Sequence, residues 1–425
     1  MNNESMVKSI NNKKRLIVAI CMLIQAIPFG VAQNIQPLFI PYVVNAFGFS
    51  LAGFSLIFTF GAIASAACSP FLGKLYGKIN IKLLFIVGIT LSALGFLSFG
   101  FAKSLPTFYI LSAISQVGTI IFSGLGIPYI INNWYPGKGR GKALGIAFAG
   151  GAIGNVFLQQ IVSMLLESKG ASVTYIIFGI VALVVGIPLS LFFIKLPKQD
   201  EAENITASTS TKNTPQNQAT PIAFEGLGAK ATRKNIYFWT FSIGYAIIAI
   251  AISALSTQYA TYFNGYLGMS ARLVGTLGSI FALFCLIGNV SGGVLFDKMG
   301  TFKTMFLAMI LMIISICALL FSTQIHYVAF LFSIAYGLNV YSYMAAPAFM
   351  ATDVFGKKDA SEILGTISLI FALGFAFGST IFGVIVDRFG FITGWISMLV
   401  CVLVGYGLLL ISIKKVKTQN KELTS

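Results

Sequence analysis

Most of the chemistry that this chain offers comes from asparagine, glutamine and tyrosine side chains that interrupt long apolar stretches. In the first half of the sequence these residues are Gln33, Asn34, Gln116, Asn155 and Gln159. In the second half they are Tyr245, Asn289, Tyr336, Asn339 and Tyr343. Amides and phenols donate and accept hydrogen bonds without carrying a charge. They therefore suit the binding of a small molecule in a pocket whose other walls are apolar.

The sequence lacks the residue groups that catalysis needs. It has one histidine, His326, and its five cysteines follow no metal-binding or disulfide spacing. We find no pair of catalytic carboxylates, no nucleophile beside a histidine and no glycine loop for a phosphate. The sequence therefore predicts a protein that is not an enzyme, with no metal site, no cofactor and no use of ATP.

The elements that hold the polar residues follow from the composition. Of 425 residues, 57% are hydrophobic and only 9% are charged, whereas soluble domains carry about 25% charged residues. The apolar stretches last about 20 residues, the length of a membrane-spanning helix. We predict an all-α membrane protein with twelve transmembrane helices, at roughly 16–40, 51–72, 83–101, 106–131, 143–166, 173–195, 236–263, 270–296, 302–322, 326–351, 361–385 and 391–413.

The net charge of +16 is distributed unevenly between the two sides of this predicted topology. If the N-terminus is cytoplasmic, 24 of the 28 lysine and arginine residues lie in cytoplasmic segments. The other four are Lys103, Lys169, Arg272 and Arg388. This is the positive-inside bias of membrane proteins. It predicts a multi-pass protein of the cell membrane with both termini in the cytoplasm, and it argues against a nucleic-acid partner.

The middle of the chain differs in composition from the rest. The stretch 204–221 is rich in Ser, Thr, Asn, Gln and Ala, and such a sequence buries too little apolar surface to fold alone. We predict a flexible cytoplasmic linker at 199–235 between two six-helix halves, 1–198 and 236–425.

One short pattern recurs after corresponding spans. It reads glycine, three residues, aspartate, a cation, any residue, glycine. The copy after the eighth span contains Gly293, Asp297, Lys298 and Gly300, and the copy after the eleventh contains Gly383, Asp387, Arg388 and Gly390. The copy after the second span keeps Gly73 and Lys78 but has Gly77 in place of the aspartate. Glycine permits close helix approach, and the aspartate can cap a helix N-terminus or pair with a loop cation.

Twelve spans, the division into two halves and this loop pattern together resemble the major facilitator superfamily of transporters. The resemblance implies alternating access in a monomer, with spans one, four, seven and ten lining a central site for a small molecule. It also implies a gating loop formed here by Gly73, Lys78, Gly293, Asp297, Lys298 and Gly300. Because the first copy lacks its aspartate, gating is expected to depend more on Asp297.

The segment from Asn132 to Gly145, with Trp134, Pro136 and Arg140 inside it, resembles a loop of the oxalate–formate antiporter group, which includes monocarboxylate carriers. That resemblance implies an arginine in span eight and a lysine in span eleven that hold a dianion. The corresponding positions here are Asn289 and Phe371, which carry no charge. An uncompensated dianion in a low-dielectric site is costly. We therefore expect a monocarboxylate, an amphipathic anion such as a bile salt, or a neutral compound instead of oxalate.

The predicted spans contain no charged residue away from their ends. Proton-coupled carriers usually need an aspartate, glutamate or histidine in the transport pathway. Exchange or facilitated diffusion is therefore the expected mode of transport. The alternatives are an exporter of amphipathic drugs and, with less support, a lipid scramblase or a non-transporting membrane protein.

Overall fold

The chain is almost entirely helical in the residues that the computed structural model describes, which are 3–136, 139–197, 201, 229–356 and 359–424. Eight helices there are long and apolar enough to cross a membrane: Lys8–Phe47, Leu51–Gly73, Ile81–Phe101, Leu105–Trp134, Arg140–Phe193, Ile236–Tyr266, Ala271–Phe321 and Glu362–Gln419. A bent pair, His326–Met344 and Ala346–Phe355, supplies a further crossing.

Three of these helices are too long for one crossing. They contain 54, 51 and 58 residues, whereas a bilayer needs about 20. Gly170, Gly300 and Gly390 interrupt them, each with φ between 71° and 79°, a conformation that glycine adopts without strain. Each glycine therefore separates two spans. With the bent pair, the described residues form twelve spans, numbered one to twelve in chain order, as the sequence predicts.

Helical regularity is lost in the spans that hold most of the predicted site. Spans one, four and seven contain the π-helical segments Gln25–Asn34, Ile120–Gly126 and Thr261–Tyr266. Span ten is broken into Ala329–Leu338, Tyr341–Met344 and Ala346–Phe355. Pro347 begins the last piece, and a proline cannot continue a helix without losing a backbone hydrogen bond. π-helical turns occur frequently at functional sites. A further π-helical turn, Leu189–Phe193, ends span six.

The chain forms two compact units. The first consists of Met1–Tyr42 and Phe60–Thr220, and the second of Val43–Thr59 and Pro221–Ser425. The polar stretch 204–221 of the predicted linker lies outside the described residues. The end of the predicted linker is the short helix Ala229–Lys234, directly before span seven.

In the first unit, two glycines bring span five against the backbone of span one. A Cβ atom added to Gly150 would lie 2.0 Å from the carbonyl oxygen of Met22, and one added to Gly154 would lie 2.2 Å from that of Ala26. Any larger residue would force the helices apart. The four-residue spacing of small residues is typical of close helix packing in membranes.

The second unit repeats the arrangement with span eleven and span seven. A Cβ atom on Gly374 would lie 2.3 Å from the carbonyl oxygen of Ala246, and one on Gly378 would lie 2.5 Å from that of Ile250. Span eleven therefore packs on span seven as span five packs on span one.

We expect Gly154→Ala to lower the thermal stability of the purified protein, because the added methyl group has no space against span one. Overpacking of this kind costs about 1–3 kcal/mol. Gly145→Ala is the matched control on the same helix, since a Cβ atom there meets nothing within 4 Å. The melting midpoints of the two variants in detergent provide the comparison. Equal midpoints would show that the glycine contact does not limit packing.

Candidate functional site

Two side-chain hydrogen bonds join span one to span four in the first unit. Gln33 donates from Nε2 to Oε1 of Gln116 over 2.6 Å. Further along the same pair of helices, Ser123 donates from Oγ to Oε1 of Gln25 over 3.0 Å. Gln25 and Gln33 both belong to the π-helical segment of span one. The wide turn therefore carries its amides directly to the neighbouring span.

The remaining predicted amides of this unit join span one to span five. Asn34 donates from Nδ2 to the carbonyl oxygen of Gly151 over 3.0 Å. Gln159 donates from Nε2 to the carbonyl oxygen of Asn34 and to Oδ1 of Asn155, each over 3.1 Å. The structure thus brings the five predicted residues of the first unit into one group. Gln33 and Asn34 are half-buried.

In the second unit, tyrosine hydroxyls form the hydrogen bonds between spans that amides form in the first unit. Tyr245 of span seven donates its hydroxyl to the carbonyl oxygen of Ser342 in span ten over 2.9 Å. Tyr336 of span ten donates to the carbonyl oxygen of Ile252 in span seven over 2.8 Å. Phe371 of span eleven lies against the Tyr245 ring, with 4.7 Å between the ring centroids. Spans seven, ten and eleven therefore meet around an aromatic and phenolic surface, and Tyr343 lies beside Tyr336.

The break in span ten holds buried polar groups that lie close to one another. Asn339 and Ser342 are buried there, and Tyr406 of span twelve is buried near both. None of their side-chain polar atoms makes a hydrogen bond of normal geometry with the described residues. Leaving such atoms unpaired costs about 1–3 kcal/mol each. The sequence predicts Asn339 as a site residue but not Ser342 or Tyr406. Tyr406 is the single tyrosine of span twelve, and one isolated tyrosine forms no sequence pattern that would mark it as a site residue.

Asn289 stands apart from the other predicted residues. Exposed apolar residues mark the outward stripe of span eight: Leu283, Ile287, Val290 and Val294. Asn289 is also exposed, but it lies about a third of a turn around the helix from that stripe. It makes no hydrogen bond to another side chain in the part of the chain that the structure describes. Its amide is therefore open to a ligand on a face that the apolar stripe does not cover.

Charged side chains stay at the margins of the spans. Arg272 and Glu362 lie at helix starts, and Asp297, Asp387 and Arg388 lie within a few residues of the glycines that divide the long helices. Among the described residues, the polar groups between these margins are all uncharged. Such a site can hydrogen-bond a ligand, but its described residues include no aspartate, glutamate, histidine, lysine or arginine for an ion pair.

The predicted gating loop is mostly exposed. Gly73 and Gly293 have open space where a Cβ atom would be, and Gly300 makes the turn between spans eight and nine. Lys78, Asp297 and Lys298 are exposed to solvent. No ion pair of Asp297 occurs within the described ranges.

Comparison with known families settles what this architecture is. A family model described as Major Facilitator Superfamily matches residues 19–345 and 241–424, which cover most of the chain. The chain belongs to the Major Facilitator Superfamily. It is a multi-pass membrane transporter and not an enzyme.

Individual relatives of this transporter are distant. It is 25% identical over 375 residues to the oxalate:formate antiporter of Oxalobacter formigenes, a match that covers 86% of this chain and 84% of the antiporter. It is 23% identical over 419 residues to monocarboxylate transporter 12-B of Danio rerio, covering 94% and 86% of the two chains. Among solved structures, a bacterial homologue of the human lysosomal transporter Spinster matches with a TM-score of 0.73 and 16% identity, over 95% of this chain and 97% of that one. These likenesses agree with the predicted fold and group.

We expect Gln33 and Gln116 to be energetically coupled. Gln33→Leu leaves the Gln116 amide without its partner, and Gln116→Leu does the same to Gln33. Such bonds contribute about 0.6 kcal/mol on average in a bilayer. The double variant should therefore lose less thermal stability than the sum of the single variants. A double-mutant cycle on melting midpoints measures this difference, and strict additivity would show that the pair does not interact.

Proposed function

We propose that this transporter moves a small organic solute across the cell membrane by alternating access, in exchange for a second solute or down a gradient. The proposed binding residues are Gln33, Asn34, Gln116, Asn155, Gln159, Tyr245, Asn289, Tyr336, Asn339, Tyr343 and Phe371. We also propose that both of its termini are cytoplasmic, on the basis of its charge distribution, and that it acts as a monomer, as the superfamily resemblance implies.

One observation carries this proposal: the interior polar groups are numerous and uncharged. Each six-helix half presents amides or phenols on helices that are π-helical or broken. Amides such as those of Asn34 and Asn289 can donate to a carboxylate or carbonyl oxygen and accept from a hydroxyl group. The rings of Tyr245 and Phe371 offer an apolar wall beside them. This combination suits a ligand with one polar group on an apolar body.

The substrate class follows from the same electrostatics. The names of two relatives connect them with oxalate, formate and monocarboxylates. Two full negative charges in this chain would have no fixed cation at Asn289 or Phe371 to offset their desolvation. We therefore favour a monocarboxylate or an amphipathic organic anion such as a bile salt, whose single charge the amide donors can solvate. A neutral compound of similar shape is the other substrate class consistent with the site.

The mode of transport is inferred from the lack of aspartate, glutamate and histidine in the described interior. A proton-coupled cycle needs a residue that binds and releases a proton within the pathway. An uncharged site undergoes no change of its own charge between the loaded and the empty state. Exchange and facilitated diffusion therefore need no coupling ion. The gating roles of Gly73, Lys78, Gly293, Asp297, Lys298 and Gly300 remain part of this proposal.

The direct test is exchange in proteoliposomes with equal pH inside and outside. Vesicles loaded with an unlabelled monocarboxylate, a bile salt or a neutral solute are given the same compound in labelled form. We expect saturable uptake of a singly charged or neutral compound and no uptake of oxalate. Uptake that appears only with an imposed pH gradient would reject the uncoupled mode. Rapid oxalate exchange would reject the substrate class.

Within the same assay, we expect Gln33→Ala and Asn289→Ala each to reduce uptake about tenfold or more, with normal amounts of folded protein in the membrane. Each substitution removes an amide that offers hydrogen bonds to the solute. Gln324→Ala is the control, because Gln324 is an exposed glutamine outside the spans. Normal kinetics in both test variants would remove these residues from the site.

A further inference from the structure

A carboxylate from the third copy of the recurring loop pattern caps the start of span two. The backbone N–H of Leu51 donates to Oδ1 of Asp387 over 2.9 Å, and that of Ala52 donates to Oδ2 over 2.8 Å. Asp387 is 335 residues away from Ala52 in the sequence. The first N–H groups of a helix have no partner within the helix, and the positive end of the helix dipole attracts an anion. Both oxygens of this carboxylate are used.

Gly383 makes this approach possible. A Cβ atom at Gly383 would lie 2.7 Å from the Cα atom of Ala52, so only glycine allows the two backbones to meet. Asp387 lies four residues later on the same face of span eleven. The glycine and the aspartate of the pattern thus contact the same helix start. By contrast, a Cβ atom at Gly293 of the second copy meets nothing within 4 Å.

A row of hydrogen bonds continues from this cap along span two. Gln258 of span seven donates from Nε2 to Oγ of Ser55 over 2.9 Å and to Oγ of Ser379 over 2.7 Å. Thr59 donates its hydroxyl to the carbonyl oxygen of Ala376 over 2.6 Å. Ser55 and Thr59 are each separated by about one helical turn from the contact before them. Residues 51–59 of span two are therefore hydrogen-bonded to spans seven and eleven at three successive helical turns.

Span two itself passes from one compact unit to the other. It is a continuous helix from Leu51 to Gly73, but Val43–Thr59 belongs to the second unit and the helix from Phe60 onwards belongs to the first. A large movement of one unit against the other must therefore bend this helix or release residues 51–59. Release requires the Asp387 cap to open.

We propose that Asp387 is a positioning residue of the transport cycle, which holds the start of span two on span eleven in one conformational state and lets it go in the other. This inference rests on the proposed alternating access. It assigns the recurring aspartate a function at Asp387, in addition to the gating role that the resemblance implies for Asp297. The carboxylate acts as a latch because it bonds two backbone N–H groups of the same helix start at once.

The test uses a cysteine reporter inside the contact, in the purified full-length protein without substrate. Ala376→Cys keeps the backbone oxygen that Thr59 uses, and residue 376 is only 7% exposed. The rate at which the introduced thiol reacts with N-ethylmaleimide, followed by mass spectrometry of the peptide that contains it, reports how often the contact opens. We expect Asp387→Asn to raise that rate about fivefold, because an amide has one acceptor oxygen and no charge. Asp387→Ala should raise it further.

Two controls separate opening of the latch from loss of structure. Arg388→Gln removes the neighbouring charge and should leave the rate unchanged. Cys21 and Cys285 are native cysteines that are buried in the two units, so global unfolding would raise their reaction rates together with that of the reporter thiol. If the Asp387 variants fail to fold, Thr59→Val provides the test of the latch instead. It removes the next link in the row and should raise the reporter's rate in the same way.

An unchanged reporter rate in the folded Asp387 variants would overturn the latch, as would a rise that Cys21 and Cys285 share. A protein that labels as expected but exchanges no solute in proteoliposomes would retain the latch and lose the proposed transport function. The two failures are therefore distinguishable.

Discussion

Direct backbone contact between helices at glycine is the constraint on which the candidate site depends. Gly150 and Gly154 leave no room for a side chain against span one, and Gly374 and Gly378 leave none against span seven. Lipid tails provide no hydrophobic force between helices, so close packing and interhelical hydrogen bonds must hold them. At this distance Asn34 reaches the carbonyl oxygen of Gly151. The polar group of each unit thus follows from a contact between small residues.

The described interior of the spans contains polar side chains but no charged ones. This lack of charge limits the kinds of interaction that the interior can offer. A charged residue at the centre of a bilayer costs about 2.5–3.5 kcal/mol on insertion scales, whereas amides and phenols are tolerated when paired. Most of the amides are paired, as Gln33 is with Gln116. The exceptions are informative, because Asn339 is buried without a hydrogen bond to the described residues. Such a neutral group can be buried without the need for a compensating ion.

Irregular helices connect this chemistry to movement. The π-helical segment Gln25–Asn34 and the broken span ten interrupt regular backbone hydrogen bonding where the polar side chains are. Membrane helices tolerate such turns when neighbouring protein groups satisfy the backbone. The Asp387 carboxylate does this for the start of span two. Contacts of this kind consist of a few hydrogen bonds each.

The sequence by itself determined the class, the number of spans and most of the candidate residues. Long apolar stretches force helices in a bilayer, and the amides stand out because polar residues there are costly. Tertiary structure alone decided which of them meet. It joined Gln159 to Asn34 and left Asn289 apart, it revealed Tyr406, and it attached Asp387 to Leu51 across more than three hundred residues. Helical periodicity fixes the face on which a residue lies, but only packing between helices fixes which partner that face meets.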